Sequence, residues 1–168
     1  DGDDIRSVTQ KCVTFTYPNA NGTFMPIDTW EMSAVTAFEA MFIHNIHFNA
    51  DIRGWDVSQA IRMDQMFKGA ANFTQDISSW NTSKATHMGR MFDTASVFNQ
   101  DISSWNTSNV TDMTRMFFYS LFNQNISSWD VSNVTSMANM FHVTPFNQPI
   151  NNWNVENVNN MSGMFYFG

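Results

Sequence analysis

The sequence FNQDISSWNTSNVTDMTRMF occupies residues 98–117 and contains the pattern from which the architecture of this chain follows. Variants of it recur along the 168 residues, and each variant carries one tryptophan. Successive tryptophans stand 25, 25, 25, 24 and 24 residues apart, at Trp30, Trp55, Trp80, Trp105, Trp129 and Trp153. A fixed period of this length indicates a repeat protein, in which each unit buries its apolar face against its neighbours.

The unusual composition of the chain belongs to this repeat. The chain has 13 Met, 16 Phe and 6 Trp, but only 8 basic and 15 acidic residues. Around Trp105, Ile102 precedes the tryptophan by three positions, and Met113, Met116 and Phe117 follow it by eight, eleven and twelve. Most Met and Phe residues of the other units keep these positions. A unit of this size cannot bury so many apolar side chains alone, so we expect adjacent units to share one core.

The periodicity within a unit changes once. The I-x-x-W-x-[VT] segment alternates every two residues, which predicts a short strand. From Val110 to Phe117 the apolar residues are spaced by three or four, which predicts a short helical turn with Thr111 at its N-cap. We therefore predict an α/β repeat solenoid, in which each coil of 24–25 residues contributes one short parallel strand and one helical turn.

The chain is expected to have two parts. Residues 1–26 lack the repeat and are predicted to form an N-terminal cap over the first coil. Residues 27–168 are predicted to form six coils, of which the last is incomplete. Because that last coil would leave apolar side chains open, we expect further repeats or another chain to cover the C-terminal end. Cys12 has no second cysteine as a partner, so no internal disulfide is expected.

The run at residues 98–117 resembles the BspA-like leucine-rich-repeat surface proteins, whose units read like WDVSNVTDMSxMFxxAxxFNQDIS. The resemblance extends from Ile27 to the C-terminus. The chain departs from the family pattern at Glu31, Met32, Phe38, Ile61, Pro149 and Glu156. The resemblance implies that the solenoid is leucine-rich-repeat-like and that the protein is an extracellular or surface-exposed module without catalytic activity. It implies no particular ligand.

Several kinds of function are not expected. A net charge of -7 disfavours binding to nucleic-acid phosphates, and no apolar run reaches the roughly 20 residues needed for direct membrane insertion. The sequence has no nucleophile-elbow or phosphate-loop motif, so we expect no catalysis and no cofactor. We also expect no metal, because the histidines are scattered and the Gly-rich nonapeptide rhythm of calcium-binding solenoids is missing. The Trp column could be taken for a sugar-stacking face and the Met pairs for copper ligands, but their apolar neighbours favour the core. The Ser and Asn columns are expected to form a solvated strand face with local side-chain to backbone hydrogen bonds. The alternative is that this face binds a partner weakly through hydrogen bonds, or carries cations on its few carboxylates.

Candidate contact residues lie where the repeat varies. The loops after each M-F pair become more apolar toward the C-terminus, which predicts an exposed patch for a protein partner. Its members are Phe118, Tyr119, Leu121, Val143, Tyr166 and Phe167. The alternative is that these side chains only seal shortened loops. Arg90 and Arg115 occupy equivalent positions and are candidates for pairing with a partner's carboxylates, or else belong to a solvated face.

The residues favour a non-catalytic repeat protein that binds a protein or another macromolecule. The resemblance implies that it is extracellular or at the cell surface, reached through the secretory pathway. Asn21, in the sequon N-G-T outside the repeat, is the candidate N-glycosylation site. The alternative is a peripheral structural subunit or protomer of a large assembly, docked through its C-terminal loops and uncapped end at the lumenal or peripheral face of a membrane-associated complex. An ice- or crystal-binding role for the Ser and Thr columns is a third hypothesis.

Overall fold

The computed structural model describes residues 16–18 and 24–167. A short antiparallel hairpin comes first, in which β1 (Thr16–Pro18) pairs with β2 (Phe24–Pro26). A 3-10 turn, Ile27–Thr29, follows directly. These are the named strands and helices of the described residues, and the rest of that part consists of turns joined by isolated bridges. Cys12, Asn21 and most of the predicted N-terminal cap lie outside the described residues.

Consecutive repeats lie side by side in parallel. We number the repeats 1 to 6 by their tryptophans, from Trp30 to Trp153. Parallel bridges connect the residue seven positions after each tryptophan with its equivalent in the next repeat, in the order Ala37, Arg62, His87, Asp112, Ser136 and Asn160. The bridges thus lie in the segment for which the spacing predicts a helical turn. The I-x-x-W segment, for which a strand is predicted, is a turn closed by the Trp105 N–H on the Ile102 carbonyl at 3.1 Å.

The hydrogen bonds between repeats run in one direction over most of this segment. Alternate N–H groups of repeat 4 donate to carbonyls of repeat 5 at 2.8–3.0 Å. The donors are the N–H groups of Met113, Arg115, Phe117 and Tyr119. The carbonyls of the alternating residues 112 to 118 accept N–H groups of repeat 3 at 2.7–3.2 Å. In an ordinary parallel sheet, each edge of a strand carries both donors and acceptors. Here one edge of the repeat carries N–H donors and the other edge carries carbonyl acceptors.

A left-handed backbone conformation accounts for this arrangement. The residue ten positions after each tryptophan has a positive φ, in the column Ala40, Gln65, Arg90, Arg115, Asn139 and Gly163. The residue fourteen positions after it does so too, in the column His44, Gly69, Thr94, Tyr119, Val143 and Phe167. Left-handed residues placed among right-handed ones turn successive N–H groups toward the same side. They also interrupt the right-handed dihedrals that an α-helix needs, so the helical spacing of the side chains does not propagate a helix.

The apolar columns of the repeat form one continuous core. Trp105 is 3% exposed, and Met113 and Phe117 are fully buried, as are their equivalents in the neighbouring repeats. Phenylalanine rings stack from one repeat to the next, and the ring of Phe117 lies 5.8 Å from those of both Phe92 and Phe141. The prediction that adjacent units share one core is therefore confirmed.

Side chains add further hydrogen bonds between repeats. The Trp105 indole N–H donates to the Ile77 carbonyl at 3.1 Å, and the tryptophans of repeats 2, 3, 5 and 6 make the equivalent bond. The Thr111 hydroxyl donates to the Thr86 carbonyl at 3.2 Å, so a position expected to cap a helix links two repeats. The assignment to α/β leucine-rich-repeat-like solenoids stays a prediction, because turns and bridges replace named helices and strands after Thr29 in the described part of the chain.

Candidate functional site

Five aromatic side chains form a continuous cluster near the C-terminal end of the stack, which we call the aromatic ridge: Phe118, Tyr119, His142, Tyr166 and Phe167. The His142 ring lies between two others, with its centre 4.7 Å from that of Phe118 and 5.1 Å from that of Tyr166. Tyr119 contacts Phe118 at 4.8 Å, and Phe167 meets Tyr166 edge-on at 4.3 Å. Tyr119, Tyr166 and Phe167 are 49%, 56% and 75% exposed, so the ridge presents aromatic surface to solvent.

The register of the repeat places these rings on one another. Phe118, His142 and Tyr166 all stand thirteen positions after their tryptophans, and the parallel pairing of repeats superimposes that column. Backbone bonds fix the spacing, because the Tyr119 N–H donates to the His142 carbonyl and the Val143 N–H to the Tyr166 carbonyl, both at 2.9 Å. Paired backbones lie about 4.8 Å apart, which is close to the distance at which aromatic rings stack. The column therefore stacks without distortion of the backbone.

A partly buried ion pair supports the first ring of the ridge. The Nε atom of Arg115 lies 2.8 Å from Oδ2 of Asp93, whose side chain is 1% exposed. The guanidinium carbon of Arg115 lies 3.6 Å from the centre of the Phe118 ring, in a cation–π contact. Arg115 thus contacts a carboxylate and an aromatic face of its own chain, and its charge is already paired.

Arg90 differs from Arg115, although both stand ten positions after a tryptophan. Arg115 bonds to Asp93 in the preceding repeat. In the repeat that precedes Arg90, the position equivalent to Asp93 is occupied by Lys68, which has the same charge as arginine. Arg90 is exposed and belongs to no ion pair found within residues 16–18 and 24–167. Of the two arginines in the predicted contact set, Arg90 is the one whose charge is available to a partner.

The predicted patch is brought together in part. Its four aromatic members lie within the ridge, and the structure adds His142 to them. Leu121 is exposed, while Val143 is half-buried and has a φ of 51°, which is rare for a β-branched residue. These two aliphatic side chains take no part in the ring contacts that define the ridge.

His142 is the member of the ridge that the loop composition does not reveal. The signal that identifies it is its place thirteen positions after Trp129, because Phe118 and Tyr166 occupy the same column. Its Nδ1 atom is buried and has no hydrogen-bond partner within the described part of the chain. The imidazole therefore contributes to the ridge mainly as a flat ring between two others.

Asp and Asn side chains close tight turns along the face formed by the Ser and Asn columns, which we call the polar face. The carboxylate of Asp56 accepts the Ser58 N–H at 2.9 Å, and that of Asp130 accepts the Ser132 N–H at 3.0 Å. Hydrogen bonds from Ser58 and Ser132 hold the pKa values of Asp56 and Asp130 below the ordinary range. Asn residues make the same bond in other repeats, so the bond does not depend on charge. These carboxylates are engaged in local turns, which is the arrangement predicted for a solvated face.

Two kinds of site are not found among the described residues. In residues 16–18 and 24–167, no group of three or more His, Cys, Asp or Glu side chains is placed to hold a metal ion. The same residues contain no helix with the length and apolar character needed to cross a membrane.

The repeat matches a family model over nearly the whole chain. A model described as "Mycoplasma protein of unknown function, DUF285" matches residues 10–121 and again residues 101–167. The chain belongs to the DUF285 family. No curated protein and no solved structure matches it significantly. The two DUF285 matches overlap at residues 101–121, as expected when one model spans several units of a repeat that has no fixed starting point.

Proposed function

We propose that this DUF285 protein is a non-catalytic, surface-exposed repeat module that binds a protein partner through the aromatic ridge. The observation that carries the proposal is the stacked column of Phe118, His142 and Tyr166, flanked by the exposed rings of Tyr119 and Phe167. Aromatic residues are enriched at the centres of protein interfaces, and a few of them supply most of the binding energy. In repeats 1 to 3, the same column holds an aliphatic or charged residue, so the ridge is a local feature of repeats 4 to 6.

The ridge is already held in place before a partner arrives. Its rings are stacked, its backbone is bonded between repeats, and Phe118 rests on the paired Arg115. A surface with few side chains left to immobilise loses less entropy on binding. We expect truncation of an exposed ring at the centre of such an interface to cost about 2 kcal/mol, which is roughly a 30-fold loss of affinity.

The binding test starts from the protein isolated from its source, with the proteins that survive a salt wash identified. The paired variant Tyr119→Ser/Tyr166→Ser should lose a protein that the unmodified chain retains. The matched control is Ile46→Ser/Val97→Ser, which removes two exposed apolar side chains outside the ridge and should retain it. If the ridge variant keeps the partner, or if both variants lose it equally, the ridge is not the binding surface.

The proposed location is the outside of the cell, reached through the secretory pathway. It is supported by the resemblance of the units, such as the one at residues 98–117, to those of BspA-like leucine-rich-repeat surface proteins. Protease added to intact cells should remove the protein, while an intracellular control protein survives. Digestion only after permeabilisation would contradict an external location.

A peripheral subunit of a large assembly is the second candidate. It is favoured by the apolar loop that follows Met116 and Phe117, in which Tyr119 and Leu121 are 49% and 54% exposed. In this case the native protein should co-fractionate with a large complex in size-exclusion chromatography. A native chain that elutes only as a soluble monomer would count against an assembly and leave the first proposal standing.

A further inference from the structure

A small surface cavity, which we call the polar cavity, lies where repeats 2, 3 and 4 meet. Its volume is about 200 Å³, and its lining residues are Gln65, Gly89, Arg90, Asp112 and Thr114. The Gln65 N–H donates to the Gly89 carbonyl at 3.0 Å. The Arg90 N–H donates to the Thr114 carbonyl at 2.8 Å. The pairing of the three repeats therefore fixes the backbone around the cavity, and none of the five residues belongs to the aromatic ridge.

The missing side chain at Gly89 makes room for the cavity. Gly89 stands nine positions after its tryptophan, and the equivalent residue of repeat 4, Thr114, bonds through its hydroxyl to that of Ser136 in repeat 5 at 2.8 Å. Gly89 offers no such contact to Asp112, which is the equivalent of Ser136. Gly89 is not among the residues with a positive φ, so its backbone does not require glycine. A Cβ atom on Gly89 would lie 2.7 Å from Oδ2 of Asp112, so this carboxylate borders the space that a side chain would fill.

Two opposite charges line the polar cavity without pairing with each other. Oδ1 of Asp112 accepts the Thr114 N–H at 2.9 Å. Its other oxygen, Oδ2, lies beside Gly89 and accepts no hydrogen bond from any residue in the described ranges. Arg90 is exposed and forms no ion pair with Asp112. The cavity therefore offers a carboxylate oxygen as an acceptor and a guanidinium as a donor, and both are available to a ligand.

We propose that the polar cavity binds a free α-amino acid. The ammonium group of the ligand donates to Oδ2 of Asp112, in the space beside Gly89, and the carboxylate of the ligand accepts from the guanidinium of Arg90. A ligand with one charge would pair with one of these two side chains and leave the other without a partner, whereas a zwitterion satisfies both. This inference does not depend on the partner proposed for the aromatic ridge.

The size and the remaining lining of the cavity restrict the ligand further. A volume of about 200 Å³ is below the range of about 300–1,000 Å³ that is typical of sites for drug-sized ligands, so the ligand must be small. Gln65 and Thr114 contribute an uncharged amide and a hydroxyl, which can donate to or accept from a polar side chain of the ligand. Small amino acids such as serine, alanine and glycine are therefore the appropriate probes.

The experiment titrates the full chain with L-serine, L-alanine or glycine and follows the amide signals by NMR. We expect saturable shifts at Gly89, Arg90 and Thr114, and no comparable shift at Tyr119 in the aromatic ridge. N-acetyl-L-serine lacks the ammonium group and L-serinamide lacks the carboxylate, so each should bind about 10-fold more weakly than L-serine or worse. No saturable shift with any of the three amino acids would overturn the proposal. Equal affinity for a probe with one charge would overturn it as well.

Three single variants remove the features of the cavity one at a time. Arg90→Gln and Asp112→Asn each remove one charge and should each weaken the binding of L-serine about 10-fold or more. Gly89→Ala removes no charge but fills the space beside Asp112, so it should also abolish saturable binding. The added Cβ atom meets the free end of a side chain, which can move aside, so we expect the NMR spectrum of Gly89→Ala to show a folded chain.

The matched controls are Lys84→Gln and Asp56→Asn, which make the same two charge changes on exposed side chains outside the polar cavity. Both should leave the affinity for L-serine unchanged. If the controls weaken binding as much as Arg90→Gln and Asp112→Asn do, the effect comes from net charge and the cavity is not the site. If a folded Gly89→Ala chain binds L-serine as tightly as the original chain, the ligand does not occupy the space beside Asp112 and the proposal fails.

Discussion

The left-handed columns make glycine favourable at positions where a side chain would ordinarily be preferred. Arg90 has a φ of 59°, is exposed, and belongs to no ion pair found in residues 16–18 and 24–167. Changing Arg90 to alanine or to glycine removes the same side-chain interactions, so the two variants differ only in the Cβ atom. We expect Arg90→Gly to be more stable than Arg90→Ala.

The magnitude follows from two opposing effects. An L residue in the left-handed region costs about 1–2 kcal/mol per residue, and glycine avoids this cost. Glycine also gains more freedom in the unfolded chain, which destabilises the fold by about 0.5–1 kcal/mol. The balance favours glycine by roughly 0.5–1 kcal/mol. Gly163 already occupies the same left-handed column as Arg90, and Gly69 occupies the other one. A Cβ atom on Gly69 would lie 2.7 Å from Nδ1 of His44.

Urea denaturation followed by tryptophan fluorescence measures this difference. Lys84 supplies the control, since it is exposed and is not among the residues with positive φ. At Lys84 the order should be reversed, with the alanine variant more stable than the glycine variant by about 0.5–1 kcal/mol. If Arg90→Ala proves as stable as Arg90→Gly, the backbone at Arg90 is not left-handed in solution and the reasoning fails.

Three further predictions test the core, the polar face and the buried ion pair. Phe117→Ala should cost about 3–5 kcal/mol, whereas Phe165→Ala at the equivalent, half-exposed position should cost about 1 kcal/mol. Equal losses in urea denaturation would contradict the difference in burial between the two rings. Hydrogen bonds from Ser132 keep the pKa of Asp130 below its unfolded value of about 3.9, so this carboxylate stabilises the fold above that value and ceases to do so as the pH falls through its folded pKa. The melting temperature of Asp130→Asn should therefore fall less than that of the original chain between pH 6 and pH 2, and an equal fall would exclude Asp130 as a cause. Arg115→Ala leaves Asp93 buried without its cation and should cost about 3 kcal/mol, while Arg115→Ala/Asp93→Ala should recover part of this, unless the two losses prove additive.

The core was predictable from the sequence because its signal is spacing. Trp105, Met113 and Phe117 recur in register, and stacking the repeats buries each column whatever the local backbone does. The path of the backbone hydrogen bonds was not predictable in the same way. Of the twelve positions in the two left-handed columns, ten hold residues other than glycine, so composition gives no sign of the unusual conformation. The three- and four-residue spacing that indicates a helix arises here from successive turns.

The candidate site was predictable in part for a related reason. The aromatic loops drew attention to Phe118, Tyr119, Tyr166 and Phe167, whereas His142 belongs to the ridge only through its column. The pairing of Arg115 with Asp93 joins residues 22 positions apart in neighbouring repeats. Such a contact depends on how adjacent repeats are offset, which the spacing of the tryptophans alone does not determine.

The hydrogen bonds that the tryptophan indoles make between repeats have a consequence for the kinetics of folding. Each indole N–H from Trp55 to Trp153 reaches back 27 or 28 residues to its acceptor, and the bridges between repeats span a similar distance. The mean sequence separation of contacts therefore stays constant as repeats are added, so a longer chain has no longer loops to close. Folding can begin at any adjacent pair of repeats and spread outward. A chain with twice as many repeats should fold at about the same rate, with a nucleus no larger than two units.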